Sequence, residues 1–243
     1  MKTMSSQLDN QVVIITGAAK GLGRALALGL AKEGAIVVGH YHKSKKEAGE
    51  LEKELREFND KSRISKADLI SAKETEAMFK NIFKQFGKVD ILINNVGNFI
   101  YTPIEETTIE QFDDVWQTNA RSTFLCSQLV LPEMKAQGSG KIINFGCVGA
   151  DRMVLRENTT PYYIAKSAVI QLTKKMAESY APHGININAI SPGILDSSEH
   201  KLDVPAGRYA NFDDILNAVL FLLSNKSNYI NGANIEVAGG WAP

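Results

Sequence analysis

The chain has 243 residues, 44% hydrophobic and 22% charged, values that fit a folded protein with a sizeable core and exclude a disordered or fibrous one. Lys plus Arg and Asp plus Glu balance at 27 each, so no overall field favours nucleic acid or an anionic membrane as partner. Cys126 and Cys147 lack disulfide or metal-ligand spacing, residues 1–10 read as a polar tail, and no run nears the ~18 apolar residues of a membrane span, so a cytoplasmic protein without a metal site is expected.

Val12, Val13, Ile14 and Ile15 predict a strand that runs into a Gly-rich turn, after which Leu22, Ala25, Leu26, Gly29 and Leu30 recur at helical spacing. In such a unit Gly17 reverses the chain, Gly21 keeps a Cβ away from a pyrophosphate, and Gly23 lets the helix lie close on the strand. The free N–H groups of the helix start then face the phosphates. The spacing is G-x-x-x-G-x-G, so the physical logic carries over from G-x-G-x-x-G while the literal fingerprint does not.

Residues 35–39 predict a second strand and residues 44–58 a charged amphipathic helix. Between them a site for NAD places Asp or Glu, which accepts from the ribose 2′-hydroxyl. No acid occurs between Gly34 and Lys46; His42, Lys43 and Ser44, with Lys20 from the glycine turn, suit a 2′-phosphate instead and predict NADP(H). Residues 63–67 form a third strand, followed by Asp68, Leu69 and a helix opened by a capping box, Ser71-x-x-Glu74. Asp68 is placed to meet an adenine amino group.

Residues 89–93 read as a strand buried on both faces, ending in Asn94-Asn95-Val96-Gly97 where open parallel sheets bind ligands. Thr107-x-x-Glu110 caps the next helix, whose stripe Phe112, Val115, Trp116, Asn119 and Thr123 carries one unexpected amide, either a satisfied core group or part of a site. Residues 141–145 make a fifth strand, before Cys147 and an irregular segment through Asp151, Arg152 and Arg156. Residues 184–190 make a sixth strand ending at Pro192-Gly193; a helix begins at 211–214, and residues 233–237 form a last strand. Strands and helices alternate throughout, which predicts one doubly wound parallel α/β domain over residues 1–243 with about seven strands.

Tyr162 and Lys166 lie four apart on a predicted helix and share a face, where an ammonium lowers a phenol's pKa toward a working acid or base. Taken in order, residues 16–23 (TGAAKGLG), Asn94 to Gly97, Asn119, Tyr162-x-x-x-Lys166 and Ser191-Pro192-Gly193 resemble the short-chain dehydrogenase/reductase family over almost the whole chain. The resemblance implies Gly17, Lys20, Gly21, Leu22 and Gly23 around the cofactor phosphates, Asp68 and Leu69 at adenine, Asn95 and Gly97 at a cofactor-binding strand end, and Pro192 and Gly193 at the nicotinamide. It implies Tyr162 as the acid that protonates a substrate oxygen, Lys166 as its pKa partner and a ribose ligand, and Asn119 as the anchor of a proton-relay water.

Two departures from that family stand out. Cys147 occupies the position of a substrate-polarising Ser, and the stretch from there to Tyr162 is about two residues longer, which makes Asp151 or another loop residue an alternative donor. Residues 194–204 are short where a helical lid is common. Among members, residues 204–208 and the Gly239-Gly240 end resemble 3-oxoacyl-acyl carrier protein reductases, which implies a carrier-bound or small acyl substrate. Residues 40–44 and Phe99 resemble pteridine reductases, where an aromatic stacks on the pterin. A binding or sensing protein with decayed chemistry is the alternative of another class. The resemblance also implies a dimer or tetramer built on residues 116–129 and 163–176.

Overall fold

The computed structural model describes residues 7–154, 156–199 and 201–243. Seven strands, β1 (Val12–Ile15), β2 (Ile36–Tyr41), β3 (Arg63–Lys66), β4 (Ile91–Asn94), β5 (Gly140–Phe145), β6 (Ile185–Pro192) and β7 (Asn234–Val237), form one sheet. Every pairing is parallel, in the order β3-β2-β1-β4-β5-β6-β7. The seven main helices are α1 (Gly21–Lys32), α2 (Lys45–Phe58), α3 (Ala72–Phe86), α4 (Ile109–Trp116), α5 (Ser122–Gln137), α6 (Thr160–Tyr180) and α7 (Phe212–Leu223).

Strand alternation divides the apolar residues between two cores. Val13 and Ile15 of β1 pack with Leu26 and Leu30 of α1, Leu51 of α2 and Val219 of α7. Val12 and Ile14 pack on the other face with Phe79 of α3, Met134 of α5 and Ala177 of α6. The strand order reverses between β1 and β4, and the crevice at their carboxyl ends is where such sheets take ligands.

Three expectations need correction. Residues 1–10 do not all form a polar tail: Leu8 is fully buried in the core of α1 and α7, and Gln7 Nε2 donates to the Leu220 carbonyl at 2.7 Å, while residues 1–6 lie outside the described residues. The cap of α4 is Thr108 with Gln111, not Thr107 with Glu110, because the Thr107 hydroxyl is spent on the Pro103 carbonyl. The long helix is two helices joined by a π turn (Gln117–Arg121), which rotates the stripe: Val115, Asn119 and Thr123 are buried, but Phe112 and Trp116 face outward. Ser71 does cap α3 through the Glu74 N–H, although the Glu74 carboxylate turns to the Asp68 N–H instead of closing the box. Among the described residues no helix is long and apolar enough to cross a membrane.

Candidate active site

The glycine turn is fastened from three sides. Gly17 and Gly21 have left-handed backbones, φ +67° and +54°, which glycine adopts without strain. A Cβ at Gly23 would overlap the Gly17 carbonyl oxygen, whereas one at Gly21 would meet nothing within 4 Å, so the turn is tight inside and open outside. Thr16 Oγ1 accepts from the N–H groups of Asn95 (2.8 Å) and Val96 (3.0 Å), and Asn95 Nδ2 donates back to the Thr16 carbonyl at 2.9 Å. His40, buried at the end of β2, accepts from the Gly17 N–H through Nδ1 (3.1 Å) and donates from Nε2 to the Ala67 carbonyl (3.0 Å), an arrangement that requires the neutral ring. Burial holds its pKa down at about 4.

Beside the turn lies a cleft of about 400 Å³ lined by Lys20, His42, Lys43, Ser44, Asp68 and Leu69, which brings the predicted adenine and 2′-phosphate residues together. The first turn of α1 has no acidic residue and no side-chain cap, so its N–H groups remain open to an anion. The cleft is not purely basic, however. Glu47, just beyond the stretch that lacks acids, folds back on Lys20 at 2.7 Å and supplies the anion that the start of α2 would otherwise want. Asp68 Oδ1 accepts from the Ile70 N–H at 3.0 Å, and its Oδ2 lies 3.9 Å from His42 Nε2.

A second cavity, of about 520 Å³, opens at the ends of β4, β5 and β6. α6 delivers Tyr162 and Lys166 to it; Lys166 Nζ lies 5.4 Å from the Tyr162 ring centre and donates to the Phe145 carbonyl at 2.7 Å. The expected depression of the phenol is not found. Burial pushes the Tyr162 phenol up and the Lys166 ammonium down to about 8, since removal of water disfavours both charged forms. Tyr162 is therefore held as the neutral acid. Cys147 lines the same cavity, and burial pushes its thiol up to about 12, so it too is neutral.

The π turn presents Asn119 toward this end of the sheet. Its Nδ2 donates to the carbonyls of Asn98 and Val115, both at 2.9 Å, while its Oδ1 is buried with no partner among the described residues. Gly97 is glycine for that reason: a Cβ there would overlap Asn119 Oδ1. Leu22, Asn95, Gly97, Pro192, Gly193 and Phe99 all line the cavity, Phe99 standing edge-on to Tyr162 with ring centres 5.0 Å apart. Asn94 points the other way, into a buried network with Asn144 and Ser127. Asp151, read as an alternative donor, is absent from the cavity lining, and its carboxylate faces Arg152 at 3.5 Å. The short segment after Gly193 is no helical lid among the described residues but a loop pinched by a bridge between Leu195 and Ala210.

Sequence reasoning missed Thr16, His40, Tyr163, Arg156 and Trp241. Tyr163, next to Tyr162, lines the cavity and packs with Cys147 in a small buried cluster, a neighbour that the four-residue spacing rule passes over. His40 had a signal: it is the polar residue at the end of an otherwise apolar strand.

A family model described as enoyl-(acyl carrier protein) reductase matches residues 17–242. A 3-oxoacyl-[acyl-carrier-protein] reductase FabG of Staphylococcus aureus is 37% identical over 239 residues, covering 93% of this chain and 96% of its own. A 2-dehydro-3-deoxy-D-gluconate 5-dehydrogenase of Dickeya dadantii is 35% identical over 248 residues, 96% of each. Among solved structures, a gluconate 5-dehydrogenase from Burkholderia cenocepacia, in complex with NADP and tartrate, superposes with a TM-score of 0.89 at 30% identity over 97% of this chain and 96% of that one. With the strand order, the glycine turn and the Tyr162 and Lys166 pair in place, these similarities show that the chain belongs to the short-chain dehydrogenase/reductase family of oxidoreductases.

Proposed function

We propose that the chain is an NADPH-dependent carbonyl reductase whose first substrate to test is a 3-oxoacyl thioester. The observation that carries this reading is Tyr162, held neutral beside buried Lys166 in a cavity that continues from the glycine turn through Leu22 and Asn95. The open face at Gly21 and the uncapped start of α1 fit a pyrophosphate, and Lys20, His42, Lys43 and Ser44 fit a 2′-phosphate, with Glu47 moderating Lys20. Bound there, the cofactor supplies the hydride.

The chain's own residues do the rest. Tyr162 gives its phenolic proton to the substrate oxygen as negative charge develops on it. Lys166, anchored on the Phe145 carbonyl, holds a positive charge under the phenolate left behind. The unpartnered Asn119 Oδ1 suits a water that returns the proton from solvent. Cys147, held as a neutral thiol, offers the substrate oxygen a weaker donor than a serine would.

NADPH oxidation with an acetoacetyl thioester, a dihydropterin and a 5-oxo sugar acid tests the reading, with Tyr162→Phe as control. Turnover of the thioester with at least a hundredfold loss in the variant, NADPH binding retained, supports it; no turnover of any of the three sinks it. The sugar acid is the second reading, favoured by the gluconate-type relatives. For the pterin, Phe99 stands edge-on to Tyr162 at the cavity, while residues 40–44 line the cofactor cleft and do not bear on the substrate.

Self-association is part of the proposal. Trp116, Ala120, Phe124, Ala168 and Leu172 line an apolar groove between α5 and α6, with Trp116 39% and Phe124 46% exposed; a second copy of the chain would cover it.

A further inference from the structure

The cavity around Tyr162 holds a cation that the proton-transfer scheme does not use. Arg156 lies in the irregular segment before α6, half-buried, and lines the cavity with Cys147, Tyr163 and Trp241. Its neighbour Arg152 is engaged by Glu236 at 3.0 Å, but among the described residues no carboxylate pairs with Arg156. A guanidinium that lines a cavity without a protein counter-ion is available to an anionic ligand.

The backbone around Arg156 is anchored. Met153 and Asn158 on either side have left-handed backbones, φ +58° and +60°, so the segment is sharply bent at both ends. The Thr102 N–H donates to the Asn158 carbonyl at 2.7 Å, and the Thr159 hydroxyl donates to the Arg156 carbonyl at 2.5 Å. The guanidinium stands over the Tyr101 ring, 5.5 Å from its centre, so it is set against an aromatic surface. Its charge reaches the Tyr163 phenol, which it pulls down against the effect of burial. The carboxylate in the lining, Glu199, is exposed on the short loop after β6.

We propose that Arg156 is the anion anchor of the substrate cavity, taking in bidentate fashion a carboxylate that the substrate carries a few bonds from the carbonyl reduced at Tyr162. Arg156 and Tyr162 line the same cavity of about 520 Å³, so an anion held at the one and a carbonyl held at the other are the two ends of one short oxo acid. This rests on the reductase reading and, within it, sets an oxo acid ahead of the thioester.

Binding to the NADP⁺-loaded protein separates the two, because the oxidised cofactor cannot reduce a ketone. Calorimetry with acetoacetate, its methyl ester and acetoacetyl-coenzyme A would be run on the wild type, Arg156→Gln and Arg156→Lys. The wild type is expected to bind acetoacetate at least tenfold more tightly than the ester. Arg156→Gln should lose at least tenfold on the acid and nothing on the ester, and Arg156→Lys should recover part of the loss. No binding of acetoacetate, equal affinity for acid and ester, or an equal loss on both in Arg156→Gln overturns the assignment. So does dependence on Arg156 for the coenzyme A thioester alone, which would make the anion a carrier phosphate. NADPH oxidation with the same three compounds tests the underlying reading: acid binding that depends on Arg156, with no turnover of any substrate, sinks the reductase and leaves the anion site.

Discussion

His40 shows how one side chain can decide the state of the cofactor turn. The neutral ring accepts from Gly17 and donates to Ala67, and protonation of Nδ1 would turn its acceptor into a donor facing another donor. With a folded pKa of about 4 against a reference of 6.5, the unfolded chain binds the extra proton first as pH falls. The contribution to stability is thus complete above about pH 6.5 and is lost progressively toward pH 4, a difference of order 3 kcal/mol. Melting temperature against pH should fall more steeply over that window in the wild type than in His40→Asn; parallel curves would contradict the assignment. At this scale the sequence was legible wherever a residue type is demanded by backbone geometry, as at Gly17 and Gly23. It was not legible where a role comes from a partner distant in the chain, as with Glu47 on Lys20 or Tyr163 packed against Cys147.

The π turn is the element that the sequence hid most completely. Helical periodicity assumes a constant step, and nothing in residues 117–121 announces an added one, so the stripe through Phe112 and Trp116 pointed at the wrong face. Yet the turn is what frees the Val115 carbonyl for Asn119 and drives Asn119 Oδ1 against Gly97. The two positions should behave as one unit. Gly97→Ala alone is expected to lower kcat at least tenfold and cost roughly 1–3 kcal/mol of stability, while in an Asn119→Ala background the same change should cost little more. Additive losses in melting temperature and kcat across this cycle would show that the contact does not govern either position. The adjacent cap was misplaced by one residue for a simpler reason: Thr107 and Thr108 both have an acceptor three residues on, and only the Pro103 carbonyl decides between them.

For the molecule as a whole, the doubly wound sheet and most of its elements could be read from alternating strand and helix patterns, because buried parallel strands are apolar throughout and leave little ambiguity. Quaternary structure could not, since the apolar residues of α5 and α6 serve the core and the outer groove alike. Phe124→Glu places a charge in that groove without touching either cavity. Light scattering should give a dimer or larger species for the wild type and a smaller one for the variant; a monomeric wild type would refute the proposed association.

The strand order also bears on how the chain is made. β2 adds beside β1 and β3 beside β2; β4 then adds at the other edge of β1, and β5, β6 and β7 follow outward in turn. Taken in chain order, each strand finds a free edge, and no pairing already formed has to open to admit a later one. Synthesis from the N-terminus can therefore extend the sheet strand by strand, with the half that carries the glycine turn assembled before the half that carries Tyr162 has been translated.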